Sequence, residues 1–281
     1  LKEQEVPSGF NPDDYTVERL WATAPDGVLV PMAIVYNNGL KKDGSNPALI
    51  YSYGSYGYST DVHFSASMYS LIDRGFVYAI AQIRGGSDLG EQWYEDGKLL
   101  NKKNTFTDFI ACSEKLINDG YTSSDKLAAM GGSAGGLLMG AVSNMRPDLY
   151  QTIVAQVPFV DVINTMLDDT LPLTTGEYEE WGNPNEEEYY NYILSYSPYD
   201  NISAQDYPNI LVTGGINDSQ VLFHEPAKYT AKLRALKTDN NILILKMNME
   251  SGHGGATGRY EGIKETAFDF AFILNRVGIY K

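Results

Sequence analysis

Short apolar runs alternate with stretches of helical periodicity over most of this 281-residue chain, and that alternation leaves few folds open. The runs at 48–53, 76–83, 127–130, 152–157, 210–213 and 242–247 have the length and flanks of buried strands. Between and after them lie helical patterns at 104–118, 135–144, 225–236 and 260–277. In the first of these, Phe106, Phe109, Ile110, Leu116 and Ile117 recur at helical spacing. Strands that read as continuous apolar runs and alternate with helices pair in parallel, with helices on both faces. Upstream, two shorter alternating runs within 15–36 flank Ala24-Pro25-Asp26-Gly27, which predicts a β-hairpin. The expected fold class is therefore α/β: a mostly parallel central sheet with helices on both faces and an N-terminal β-hairpin.

Residues 15–281 read as one domain. Residues 1–14 contain Pro7, Gly9 and Pro12 with little periodicity, as in a linker or arm. The stretch 158–205 interrupts the alternation. It is rich in tyrosine, proline and glutamate, and an insertion of that length between strands suits the wall of a pocket.

Charge narrows the partners. Thirty-six acidic against 21 basic residues give a net charge of −15, which argues against nucleic acid and anionic membranes. No window of 18 uncharged apolar residues occurs. Cys112 is the sole cysteine, so a disulfide framework within the chain is excluded, and it reads as a packing residue in its helix. Neither HExxH nor CxxC spacing is present, so no metal and no cofactor is expected. The first residue is Leu1, so the chain reads as a fragment or processed product; the lone cysteine favours a reducing compartment, and a cytoplasmic location is expected, with any signal upstream of Leu1 out of view.

The strongest chemical signal is Gly131-Gly132-Ser133-Ala134-Gly135, between a strand and a helix. A G-x-S-x-G turn holds its serine in a strained conformation, and the flanking glycines remove side chains that would collide there. Serine needs a base, and on this architecture acid and base follow it in the order Ser, Asp, His. Asp218 follows the run at 210–213, and His253, in Ser-Gly-His-Gly-Gly, follows the run at 242–247. Both belong to loops at the C-terminal ends of strands, where open α/β sheets build their sites. His63, on a polar loop, reads as a surface residue and His224 as a helix-start residue. The Ala134 N–H is one candidate oxyanion donor. The loop Tyr51-Ser52-Tyr53-Gly54-Ser55-Tyr56-Gly57 offers a tyrosine hydroxyl as a second, although its tyrosines also suit simple packing.

At this point the chain resembles a family. YSYGSYG, IRGGSDLGEQWYEDGK, KKNTFTDF, MGGSAGGLLMGAV, SYSPYDNI and SGHGG, in this order, are similar to motifs of the prolyl oligopeptidase family of serine peptidases. AQVPFVDV and LTTGEYEEWGNP resemble its oligopeptidase B branch more narrowly. The resemblance implies Ser133, Asp218 and His253 as a triad, and Tyr53 with Ala134 as the oxyanion hole. It implies hydrolysis of short peptides after Arg or Lys, with Glu177 and Glu179 as carboxylates for the basic P1 side chain. It also implies a β-propeller domain before the hydrolase, for which residues 1–14 would be the linker stub.

One departure concerns P2. The family's paired aspartates for a P2 basic residue correspond here to Asp61 and His63, which would make any P2 preference pH-dependent. Tyr56 is a further candidate contact for substrate. So is Arg84, which equally suits a structural ion pair. Prolyl or acylaminoacyl peptidases and carboxylesterases on the same fold are the alternatives, but such pockets have no use for two carboxylates. A non-catalytic binding module would have no need of all three triad residues in matching contexts.

Overall fold

Side-chain alternation along the strands divides the core in two. The computed structural model describes residue 6 and residues 9–280. In chain order the elements are β1 (Tyr15–Thr23), β2 (Leu29–Asn37), β3 (Ala48–Tyr51), α1 (Ala66–Ile72), β4 (Val77–Ala81), α2 (Glu91–Glu95), α3 (Lys103–Asn118) and β5 (Leu127–Gly132). They continue with α4 (Ala134–Met145), β6 (Thr152–Gln156), α5 (Val162–Leu167), α6 (Tyr178–Trp181), α7 (Glu187–Leu194), β7 (Asn209–Gly215), α8 (His224–Leu236), β8 (Leu243–Asn248) and α9 (Arg259–Arg276).

The strands form one sheet in the order β1-β2-β4-β3-β5-β6-β7-β8. β1 and β2 are the expected antiparallel hairpin. Its turn closes where the Gly27 N–H donates to Ala24 O at 2.9 Å, with Gly27 at φ 85°. β2 meets β4 antiparallel, and every later pairing is parallel. This is the α/β-hydrolase sheet.

Both faces are covered, which explains the continuous apolar runs. Ala48 and Ile50 of β3 join a core with Phe106, Phe109 and Leu137 of α3 and α4. The intervening Leu49 points the other way, into a cluster with Leu71 of α1 and Phe270 and Ile273 of α9. Ala128 and Val154 repeat that alternation in β5 and β6.

The long periodic helices and strands agree with their sequence expectations to within one or two residues. α1, α2 and the three helices α5–α7 inside the 158–205 stretch were not legible. They span four to eight residues, too few for periodicity or propensity to mark. Tertiary burial holds them instead: Trp181 and Ile193 are fully buried. Of the arm expected over 1–14, positions 1–5, 7 and 8 lie outside the described residues. Phe10 packs on the domain, its ring 5.4 Å from Tyr15 and 4.8 Å from Tyr69. Because β3, β5, β6, β7 and β8 run parallel in one sheet, the loops that follow them gather at one edge.

Candidate active site

That edge brings Ser133, Asp218 and His253 together although they are far apart in sequence. Ser133 sits between β5 and α4 at φ 57° and ψ −116°, a conformation that costs on the order of 1–3 kcal/mol in a non-glycine residue. The turn is over-determined by its neighbours. The Ser133 N–H donates to Gln156 O at 2.9 Å, and the Phe159 N–H donates to Ser133 O at 3.1 Å. A Cβ on Gly131 would lie 2.4 Å from Gly135 O, so the elbow requires glycine there.

His253 Nε2 lies 3.0 Å from Ser133 Oγ, and His253 Nδ1 lies 2.8 Å from Asp218 Oδ2. The other carboxylate oxygen, Oδ1, accepts the backbone N–H groups of Gln220 and Val221 at 2.9 Å each. Asp218 is buried, so its rotamer is held from three sides. The order serine hydroxyl, imidazole, carboxylate can pass a proton from Ser133 to His253 while Asp218 orients the ring.

Two candidate donors lie beside Ser133. The Ala134 N–H opens α4, and first-turn amides of a helix have no intrahelical acceptor. The Tyr53 side chain, two residues beyond β3, shares a hydrogen bond with Ser133. Burial pushes the Tyr53 phenol above its ordinary pKa, and the bond to Ser133 opposes that rise.

Beside Ser133 opens a cavity of about 130 Å³, walled by Phe159, Met166, Leu171, Trp181 and Val221 with Tyr53 and Tyr56. Its charged residue is Glu177, whose Oε2 accepts from the Tyr56 hydroxyl and from Trp181 Nε1 at 2.9 Å. Glu179 is not brought into the cavity. It is exposed on α6, because one helical turn cannot aim residues two apart in the same direction. Asp61 and His63 are exposed and border neither this cavity nor the one beside it, and His63 Nδ1 lies 3.0 Å from Asp61 O.

Arg84 is a correction to the expected substrate contact. It is 3% exposed, and its guanidinium is held by Asp108 at 2.6 and 2.8 Å and by Asp26 at 2.7 Å. His224 starts α8, and Cys112 is buried in α3.

Sequence reasoning missed the buried charges around the site. Glu225 accepts from Val160 N at 2.8 Å, Asp161 N at 3.0 Å and Thr165 Oγ1 at 2.7 Å. It ties the loop carrying Asp218 to the wall formed by Phe159 and Met166. Nothing marks such a glutamate in sequence, since it lies in an ordinary first helical turn. Burial pushes its carboxyl up to about 7, against the bonds from Asp161, Thr165 and Val160.

An acid whose pKa rises on folding holds its proton more tightly in the folded chain. Its contribution to stability is full below about 4.5 and is lost as pH rises through about 7. Thermal denaturation at a series of pH values is expected to show that slope, on the order of 2–3 kcal/mol, and Glu225→Gln is expected to remove it. Asp269, which burial raises to about 6 against its bond from Gln156, contributes to the slope that remains in the variant. An unchanged slope in Glu225→Gln would assign the whole effect elsewhere.

Among the described residues no helix is long and apolar enough to cross a membrane. Comparison with known proteins agrees with the geometry. Residues 62–279 match the model of the prolyl oligopeptidase family. Dipeptidyl aminopeptidase BI of Pseudoxanthomonas mexicana is 55% identical over 99% of this chain and 39% of its own length. Protease 2 of Moraxella lacunata is 52% identical over 99% of this chain and 40% of its own. Oligopeptidase B from Leishmania major superposes with a TM-score of 0.96 at 54% identity, over 98% of this chain and 38% of that one. Oligopeptidase B from Trypanosoma brucei, in its closed form with covalently bound antipain, gives a TM-score of 0.97 at 50% identity, over 100% of this chain and 40% of that one. The chain thus spans about 40% of the length of the curated relatives it matches. With the sheet order, the strained serine turn and a matched segment that runs through all three residues of the hydrogen-bonded relay, the conclusion is that this chain belongs to the prolyl oligopeptidase family.

Proposed function

We propose that this chain carries the catalytic machinery of a serine endopeptidase that cleaves short peptides on the carboxyl side of arginine or lysine. The carrying observation is the continuous Ser133–His253–Asp218 relay opening onto an apolar cavity that contains Glu177. Ser133 Oγ attacks the scissile carbonyl as His253 Nε2 takes its proton. The oxyanion that forms is stabilised by the Ala134 N–H and the Tyr53 hydroxyl. His253 then protonates the leaving amine, and water repeats the sequence on the acyl-enzyme.

Specificity follows from the cavity. Its walls take the aliphatic stem of a long side chain, and Glu177 meets the cation at its end. Without a cation, the Glu177 carboxylate is satisfied by Tyr56 and Trp181. The place of Glu177 in the cavity wall and the exposure of Glu179 support Glu177 as the P1 contact. A prolyl ring or a simple acyl chain would bring no counter-charge to the Glu177 carboxylate, which weighs against those readings.

The reading extends to the setting of the chain. The longer relatives support a further domain in the whole protein, the β-propeller that the resemblance implies, acting as a filter for peptide size. A single, buried cysteine fits a cytoplasmic location.

The test compares anilide substrates with arginine or norleucine at P1. Glu177→Gln is expected to lower kcat/KM for the arginyl substrate by about 100-fold, while the norleucyl substrate changes by less than about threefold. Equal losses on both substrates would remove Glu177 from the specificity role.

A further inference from the structure

We infer that Lys102 and Glu180 are positioning residues for the reaction, aiming the Tyr53 hydroxyl by clamping the loop behind it to the helix beside Glu177. The inference rests on the proposed role of Tyr53 as an oxyanion donor. The three residues directly after Tyr53 are each held from the same buried cluster. Lys102 Nζ donates to Gly54 O and to Ser55 Oγ at 2.7 Å each. The Tyr56 N–H donates to Glu180 Oε1 at 3.0 Å. Lys102 and Glu180 face each other at 3.8 Å, both side chains under 5% exposed. The Tyr94 hydroxyl donates to the second Glu180 oxygen at 2.8 Å, and Lys102 Nζ lies 5.0 Å from the Trp181 ring centre.

The loop needs such a clamp. Gly54 and Tyr56 adopt φ of 72° and 59°. For tyrosine that conformation is strained, and it persists only where the surroundings over-determine it. Free of the cluster, the loop would relax toward ordinary backbone and carry the phenol away from Ser133.

The other end of the clamp is α6. Glu177 immediately precedes this helix and faces the cavity, and Glu180 lies three residues on, facing the buried lysine. A buried ion pair is a poor means of adding stability, since burial costs each charge its hydration. Burial holds the Lys102 ammonium down to about 8, against the pull of Glu180. Retaining a charged pair here fits a positional role. It links the donor for the transition state to the element that carries the substrate's anchor.

The test is a double-mutant cycle between Lys102→Met and Tyr53→Phe. Two rates are read on protein shown to unfold cooperatively: phosphonylation of Ser133 by a fluorophosphonate, and kcat on the arginyl anilide. Phosphonylation also places oxygen in the oxyanion hole but needs no basic P1 group. Lys102→Met is expected to slow both by about 30-fold, as a displaced donor does, with KM nearly unchanged. The double variant is expected to match Tyr53→Phe alone within about twofold, because a misplaced hydroxyl and a missing one cost the same interaction. Glu180→Gln keeps an acceptor for the Tyr56 N–H and is expected to lose only about threefold. If Lys102→Met does not fold, the cycle between Glu180→Gln and Tyr53→Phe carries the same comparison.

Additive losses, a Lys102→Met rate within twofold of wild type, or a Tyr53→Phe variant as fast as wild type would each overturn the inference. Coupled phosphonylation without turnover of the arginyl anilide would support the clamp and discard the basic-P1 reading instead.

Discussion

Ser133→Ala is expected to lower turnover of an arginyl anilide by about a million-fold, while the protein unfolds with an undiminished transition. The size of the loss follows from the relay. Ser133 Oγ, His253 and Asp218 are joined by bonds of 3.0 and 2.8 Å, so removing the proposed nucleophile leaves the imidazole and carboxylate with nothing to act on. Groups that act as one unit are not additive. His253→Ala is expected to cost a similar factor, and the double variant no more than either single change. Initial rates at matched enzyme concentrations check both statements. Activity in Ser133→Ala within about 100-fold of wild type would mean that another group makes the acyl bond.

Tyr53→Phe is expected to reduce kcat by about 100- to 1,000-fold with KM changed by less than about twofold. The substitution removes one oxygen and leaves the ring. That ring packs edge-on to Tyr58 at 5.4 Å and lies 6.3 Å from Tyr56, so phenylalanine finds the same seat. Burial raises the pKa of the phenol, which keeps it protonated and able to donate. A hydroxyl aimed at charge that develops only in the transition state affects kcat and not ground-state binding. A rise in KM at constant kcat would assign Tyr53 to substrate binding instead. The two predictions also differ under phosphonylation. Ser133→Ala abolishes labelling, whereas Tyr53→Phe slows it.

Legibility in the sequence followed the reach of local interactions. The strand at 127–130, the glycines around Ser133 and the helix after them were readable because the elbow is a local steric problem. Asp218 and His253 were readable because each follows an apolar run closely, and parallel pairing brings the ends of such runs to one edge. Glu177 and Glu179 look equivalent in the sequence, two residues apart in an acidic run. α6 separates them, one facing the cavity and the other solvent. Arg84 looked as available to substrate as to an ion pair until Asp108 and Asp26 closed around it. Those partners lie 24 and 58 residues away, beyond any local pattern.

The sequence by itself determined the architecture, the serine turn and the order of the relay, since hydrophobic periodicity and glycine sterics act over a few residues at a time. The tertiary structure alone decided which of the neighbouring glutamates enters the cavity and which cations are buried away from it. It also decided that Lys102, Glu180 and Glu225 stand behind the site. Burying a charge is tolerated only where partners from distant segments converge on it, and that convergence is a property of the packed fold.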